Sequence, residues 1–400
     1  MSAARVAWRA LVALLLFALA TFAYAQTPAP AEAPRIAVAT MAPGELFFER
    51  FGHNAIVVVD PATGRATSYN FGFFDPEAPD FVSRFVYGRM RYRLAALPFE
   101  QDMAYYREVG RGVTLQWLDL APDQARALAA ALEVNARPEN AYYAYQYFDD
   151  NCATRVRDAI DRALGGALRR QTIGRSHGNS YRSEALRLSR PAWWMWLGFD
   201  LGLGPSADVP RSVWEDAFIP MRLADALAET RLDGGRALVA ASDPLLPHRL
   251  APEPRERPIR WGYWAAAGIV LAAALLLLAR RAPRVVGGIA LAWWSVCLLL
   301  GGLMLFLWWG TEHRYAWANR NLLLFDPLFV LLLPAAWRRL RGAPARRWER
   351  PALLALTGLA ALALFFYWLP NVPQQNLHWI ALVLPVHAAL ALAWPRMPPR

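Results

Sequence analysis

The stretch Asp149-Asp150-Asn151-Cys152-Ala153-Thr154-Arg155 decides how this chain is read. Asn151 is a strong helix N-cap residue, and Cys152–Leu164 has helical spacing closed by Gly165-Gly166, so Cys152 falls on a first helical turn. The positive end of a helix favours the reactive thiolate over the thiol. The backbone N–H groups of Cys152 and Ala153, behind the Asn151 cap, have no intrahelical partner and are candidate oxyanion donors. Asp149 and Asp150 oppose a thiolate, and an imidazolium would offset them. The other cysteine, Cys297, lies inside a hydrophobic run, which leaves Cys152 without a disulfide partner in its own domain.

The candidate base lies far upstream, in Phe51-Gly52-His53-Asn54 at the start of a strand. Ala55–Asp60 is a β-branched run, Pro61-Ala62-Thr63-Gly64 is a turn, and Arg65–Phe71 returns as a second strand. If that turn closes a hairpin, Asp60 faces Arg65 and Ala55 faces Asn70. Residues 53 and 55 share a sheet face, which places Asn70 diagonally beside His53 on the same side. An amide oxygen there would orient the imidazole as the third member of a Cys-His-Asn set. Blander readings stand beside this one: an inert buried thiol, a structural histidine, and an asparagine that only shapes a strand end.

Around these motifs the sequence predicts an α+β domain with a small antiparallel sheet. Ile36–Met41 and Gly112–Leu118 read as further strands, Glu100–Val109 and Pro122–Asn135 as helices, and Tyr142–Phe148 as an aromatic approach to the cysteine. Phe81–Arg93 is aromatic and mixed. The expected boundaries are a signal peptide at 1–25, a Cys/His domain at 26–165, a mostly helical extension at 166–250, a linker at 251–260 and a transmembrane domain at 261–400. Arg5 and Arg9, the apolar stretch Ala10–Ala20 and Ala23-Tyr24-Ala25 make up the signal, with an uncleaved anchor as the alternative. Both readings export the Cys/His domain, and an unpaired thiol in an oxidising compartment is a liability unless it is used.

Five apolar runs occupy the C-terminal third: Trp261–Leu278, Val285–Trp309, Leu322–Trp337, Ala352–Leu369 and Leu377–Trp394. The third is short and carries Asp326-Pro327 and Pro334, which predicts a broken or re-entrant segment. The connections at Arg280–Arg284 and Arg338–Arg350 are basic and belong in the cytoplasm. The segments Gly310–Asn321 and Pro370–Asn376 are then outside with the N-terminal domain, and the C-terminus is inside. The expectation is a multi-pass protein of a bacterial inner membrane. Glu312, His313, Asn319, Asn321, Gln375 and Asn376 all fall at the outer face, where they are candidates for a lipid-headgroup or acceptor site, or simply solvated loops.

The net charge is +11, yet the chain has no lysine, so every basic residue is arginine in an Ala/Arg-rich sequence. That is compositional bias facing anionic lipid rather than a nucleic-acid patch, and nucleic acid is not an expected partner. Lysine Schiff bases and phosphate-binding P-loops are excluded. No cysteine pair or His-x-x-x-His spacing suggests a metal, and no cofactor is called for. His177 and His248 receive no role.

The order of His on a strand, then Asn-Cys at a helix start, resembles the circularly permuted papain-like superfamily, which includes the NlpC/P60 peptidases and the lecithin:retinol acyltransferase group. More closely, Phe51-Gly52-His53-Asn54-Ala55-Ile56, Tyr69-Asn70-Phe71-Gly72 and Asp150-Asn151-Cys152-Ala153-Thr154-Arg155 with Asp158 resemble the Bacteroides-type lipoprotein N-acyltransferases, the Lnb family. Trp214 with Phe218-Ile219-Pro220, Thr311-Glu312-His313, Asn319-Arg320-Asn321 and Gln375-Asn376 extend the likeness into the C-terminal third. The resemblance implies a permuted papain-like periplasmic domain on a five-helix transmembrane domain. It also implies that Cys152, with His53 as base, takes an acyl chain from a phospholipid as a thioester. The acceptor would be the N-terminal cysteine amine of a lipoprotein. A cell-wall peptidase of the NlpC/P60 type and a non-catalytic membrane assembly factor are the competing functions.

Overall fold

The computed structural model describes residues 7–15, 32–369 and 374–396. The expected cleavage site Ala23-Tyr24-Ala25 and the last four residues lie outside them. The strands are β1 (Arg35–Met41), β2 (His53–Val59), β3 (Ala66–Phe73), β4 (Arg91–Pro98), β5 (Val113–Leu118), β6 (Tyr142–Ala144) and β7 (Val239–Leu246). Helix α1 covers 7–15. Helices α2 (Phe81–Tyr87), α3 (Phe99–Glu108), α4 (Pro122–Asn135) and α5 (Cys152–Ala163) interleave with the strands. Helices α6 (Ala167–Thr172), α7 (Tyr181–Ser189), α8 (Trp193–Gly202), α9 (Val213–Asp216) and α10 (Pro220–Glu229) come next.

Among the described residues the strands form one antiparallel sheet in the order β6-β4-β3-β2-β1-β5-β7. It is larger than the small sheet expected. The β2–β3 hairpin closes as the turn arithmetic predicts, with Ala55 opposite Asn70 and Val59 opposite Ala66. The Asp60 N–H donates to the Arg65 carbonyl at 2.9 Å to start the ladder. Alternation then sorts the side chains. Ala37, Ala39, Ala55 and Val57 pack on Phe99, Met103 and Tyr106 of α3. Ile36, Val38 and Ile56 face Leu128 of α4, Val156 and Ile160 of α5, and Leu223 of α10. The sheet is therefore a middle layer, with α3 on one side and α4, α5 and α10 on the other.

Two stretches take a more definite form in the structure than in the sequence. The mixed stretch Phe81–Arg93 resolves into α2, ended by Gly88 in the left-handed conformation (φ 73°), followed by the start of β4. The extension at 166–250 is helical through α10, but its last part is β7, which pairs with β5. Extension and Cys/His domain therefore share one sheet.

The membrane part contains α11 (Trp261–Arg281), α12 (Pro283–Gly310), α13 (Leu333–Leu340), α14 (Glu349–Tyr367) and α15 (Leu377–Ala393). Among the described residues four stretches are long and apolar enough to cross a bilayer: α11, α12, Arg320–Leu340 and α14; α15 is a shorter apolar helix. The Arg320–Leu340 stretch is broken as its prolines predict, with 3-10 turns at Arg320–Leu323 and Pro327–Leu332 before α13. Trp294, Phe329 and Trp394 centre the helical core. Gly204, after α8, meets the loop beyond α12 so closely that a Cβ there would sit 2.2 Å from the Trp317 carbonyl oxygen. Its N–H donates to the Tyr315 carbonyl at 2.7 Å.

Candidate active site

Helix α5 begins as its sequence dictates. Asn151 has extended backbone (φ −115°), and its Oδ1 accepts the Thr154 N–H at 3.0 Å. The Thr154 hydroxyl in turn accepts the Asn151 N–H at 2.7 Å, completing a capping box. The Asn151 Nδ2 donates to the Tyr147 and Phe218 carbonyls at 3.0 and 2.9 Å. The Asn151 side chain is thus spent on fixing the helix start. Cys152 is the first helical residue and half-buried. The backbone N–H groups of Ala153 and Asn54 lie at its sulfur and favour the thiolate.

His53, the first residue of β2, lies beside the Cys152 thiol, and each favours the charged form of the other. Its Nε2 is 3.0 Å from Asn70 Oδ1. The Asn70 Nδ2 donates to Asp102 Oδ2 and Ser68 Oγ, each at 3.0 Å, and this fixes which end of the amide faces the histidine. The imidazole therefore donates through Nε2 and leaves Nδ1 for the sulfur. Behind the expected three residues stands a fourth, Asp102 of α3, buried and also bonded by the Ser68 hydroxyl at 2.6 Å. Sequence reasoning missed Asp102 and Ser68. A signal for Asp102 existed: it sits in the apolar stripe of α3 with Phe99, Met103 and Tyr106, an odd place for a carboxylate.

Cys152 comes from α5 on one side of the sheet, while Asn70 points to α3 on the other. They meet at the end of the β2–β3 pairing, where β3 slips register against β4 between Asn70 and Phe73. Gly72 lies in that irregularity at φ 90°, and a Cβ on it would be 3.6 Å from the Cβ of Cys152. A side chain there would strain the backbone and lie in van der Waals contact with the Cβ of the nucleophile.

Burial alone raises the Cys152 thiol. It is outweighed by the charge of His53, by the His53 hydrogen bond and by the N–H groups of Asn54 and Ala153, so the thiol is held below its ordinary range. For His53, burial lowers the imidazole, but the charge and hydrogen bond of Cys152 and the bond to Asn70 prevail and raise it. Both shifts favour a thiolate–imidazolium pair. The acidic neighbours are neutralised: Asp150 is held by Arg155, and Asp149 pairs with Arg314 at 2.6 Å and accepts the Tyr315 hydroxyl at 2.8 Å. Alkylation of Cys152 by iodoacetamide should therefore titrate below the ordinary thiol value of about 8.5. The inflection should move up in His53→Ala; an unshifted inflection there would contradict the pairing.

The outer-face residues divide into two groups. Glu312 pairs with Arg89 at 2.8 Å, and His313 Nε2 lies 3.1 Å from the Phe85 carbonyl, with Tyr147 Oη 3.3 Å from Nδ1. Burial lowers the His313 imidazole, consistent with a neutral ring donating on one side and accepting on the other. These two residues brace segments flanking the thiol. Asn319, Asn321 and Asn376 are buried and hydrogen-bonded elsewhere. Asn319 and Asn321 donate to the Leu201 carbonyl at 2.6 and 3.2 Å, and Asn376 donates to Asn321 at 2.9 Å. Gln375 has an exposed side chain, and its backbone N–H donates to Asp208 at 3.2 Å. These four join the membrane part to α8 and its following loop rather than lining the space beside Cys152.

Residues 22–181 match the family model described as the Lnb N-terminal periplasmic domain, and residues 263–394 match the model of the Lnb transmembrane domain. No curated protein and no solved structure matches the chain.

Proposed function

Since this chain belongs to the Lnb family, and so is an inner-membrane protein with a periplasmic N-terminal domain tied to lipoprotein processing, we propose that it is a thiol-dependent acyltransferase acting on lipoproteins. The observation that carries the reading is the Cys152–His53–Asn70–Asp102 relay, built in a domain bonded directly to the outer ends of membrane helices. We also read the domain as permuted papain-like, because the histidine strand precedes the cysteine helix.

In the first half-reaction the Cys152 thiolate attacks an ester carbonyl of a phospholipid. A C–S bond forms, the ester C–O bond breaks, and the His53 imidazolium gives its proton to the departing lysophospholipid oxygen. The negative charge that develops on the carbonyl oxygen is stabilised by the backbone N–H groups at the α5 start, Ala153 among them. In the second half-reaction the α-amine of a lipoprotein N-terminal cysteine attacks the thioester. An amide forms, the C–S bond breaks, and the proton lost by the amine passes to His53, restoring the ion pair. Asn70 keeps the ring in the required tautomer, and Asp102 holds Asn70. The membrane tether keeps both lipid substrates at high effective concentration.

The test is intact-mass measurement of the purified protein in phospholipid nanodiscs. Wild type should carry an acyl mass that hydroxylamine removes, and Cys152→Ser should not show that thioester. In cells depending on this protein, Cys152→Ala should leave lipoproteins diacylated. Unchanged triacylation in Cys152→Ala would sink the reading and favour a non-catalytic assembly role.

A further inference from the structure

Helix α2 has the sequence Phe-Val-Ser-Arg-Phe-Val-Tyr and not one buried residue. Val82 is 69 % exposed and Phe85 46 %. An apolar helix of this kind is out of place in water, and a second medium must cover it. Its position says which. The Tyr87 ring lies 5.8 Å from that of Phe306, near the end of α12, and the Glu312 N–H donates to the Tyr87 carbonyl at 2.8 Å. Helix α12 has 28 residues, about 42 Å at a rise of ~1.5 Å, against a hydrocarbon core of ~30 Å. Its last turns, with Trp308 and Trp309, therefore stand at the outer interface, and α2 stands with them.

From α2 an aromatic series runs inward. Phe81 stacks on Phe74 at 5.5 Å, with exposed Phe48 against the same ring at 5.4 Å. Phe74 stacks on Tyr92 at 4.9 Å, and Tyr92 lies 4.3 Å from Tyr145. Tyr145 borders Gly72, whose missing Cβ faces Cys152. A continuous series of ring contacts, exposed at α2 and Phe48 and buried at Tyr92, thus runs from the side of a membrane helix to the thiol. Along its edge Arg91 and Arg93 lie over the Tyr142 and Phe73 rings at 4.5 and 5.2 Å and have no carboxylate partner among the described residues. They offer cations to a lipid phosphate.

We propose that this strip is the path by which an acyl chain of an outer-leaflet phospholipid reaches Cys152, with α2 seated at the boundary of headgroups and acyl chains. The proposal rests on the acyltransferase reading for its purpose, but its test separates the two. Full-length protein is placed in nanodiscs of phosphatidylethanolamine and phosphatidylglycerol containing a phospholipid with a diazirine on its acyl chain. After photolysis, labelled peptides are mapped in wild type and in Cys152→Ala. Label should appear on Phe81–Tyr87 and around Phe73-Phe74 in both proteins. The double substitution Val82→Asp with Phe85→Asp, on exposed positions, should lower the long-chain adduct on Cys152 by about tenfold or more. It should leave the adduct from a water-soluble butyryl ester unchanged. Label confined to α11–α15 would overturn the proposal, as it would if α2 were covered by another protein. Equal losses with both esters would overturn it too. A wild type that is labelled on α2 yet forms no adduct from either ester would overturn the acyltransferase reading and leave lipid contact at the strip standing.

Discussion

His53→Ala is expected to lower acyl transfer by roughly 10³- to 10⁴-fold. Two losses combine. Without the imidazolium, burial controls the Cys152 thiol and pushes it up, so little thiolate remains at neutral pH. The leaving lysophospholipid oxygen also loses its proton donor. Asn70→Ala should cost less, because the ring remains but is free to turn its donor away from the productive tautomer. Asp102→Asn should cost least, roughly tenfold, since it weakens only the anchor of Asn70. Single-turnover measurement of thioester formation separates these from defects in product release. For wild type the rate should rise through a thiol limb below the ordinary value and fall through an imidazole limb above ~6.5, because only the ion pair reacts. Asp102→Asn with full activity and an unmoved pH profile would reduce that carboxylate to a packing element.

The second large effect is on stability. Arg182 is 2 % exposed and donates to Asp208 Oδ1 at 2.8 Å, to the Asp200 carbonyl at 2.7 Å and to the Leu203 carbonyl at 2.6 Å. The two aspartates reach the membrane part. Asp208 accepts the Gln375 N–H, and Asp200 Oδ2 lies 2.7 and 2.8 Å from His378 Nε2 and Trp379 Nε1. Arg182→Ala would remove the counter-charge that Asp208 (2.8 Å) and Asp200 (3.9 Å) share, leaving buried carboxylates without a cation, at a cost of ~3–5 kcal/mol. Thermal unfolding in nanodiscs should show a large drop in midpoint. Arg182→Lys should restore little, because an ammonium cannot reproduce the guanidinium fork. A change of under about 1 kcal/mol in Arg182→Ala would mean that the junction is held elsewhere.

Much of this was legible in the chain because it depends on local rules. The hairpin register follows from one four-residue turn, and Asn70 follows from the register. The Asn151 cap and the broken stretch around Asp326-Pro327 are set by residue chemistry over a few positions. The features that escaped depend on partners distant in sequence. Strand β7 contains Asp243-Pro244 and is largely exposed, so it lacks alternation and becomes a strand only against β5. Asp102 becomes part of the site only once α3 crosses β3. Asn319, Asn321 and Asn376 read in the sequence either as a headgroup or acceptor site or as solvated loops, and only the docking of α8 and its following loop shows the hydrogen bonds each supplies in a buried seam.

The order of strands also bears on how the domain is made. The first strand to emerge during export, β1, ends at the interior of the sheet. β2, β3 and β4 then add outward on one side, β5 on the other, β6 beyond β4, and β7 beyond β5. Each new strand finds an edge already waiting, and no strand must be threaded between two earlier ones. The last edge to be covered is that of β5, by a strand whose proline and acid discourage further pairing, just before α11 enters the bilayer. Growth of the sheet thus keeps pace with delivery of the chain, and the domain is complete when its anchor arrives.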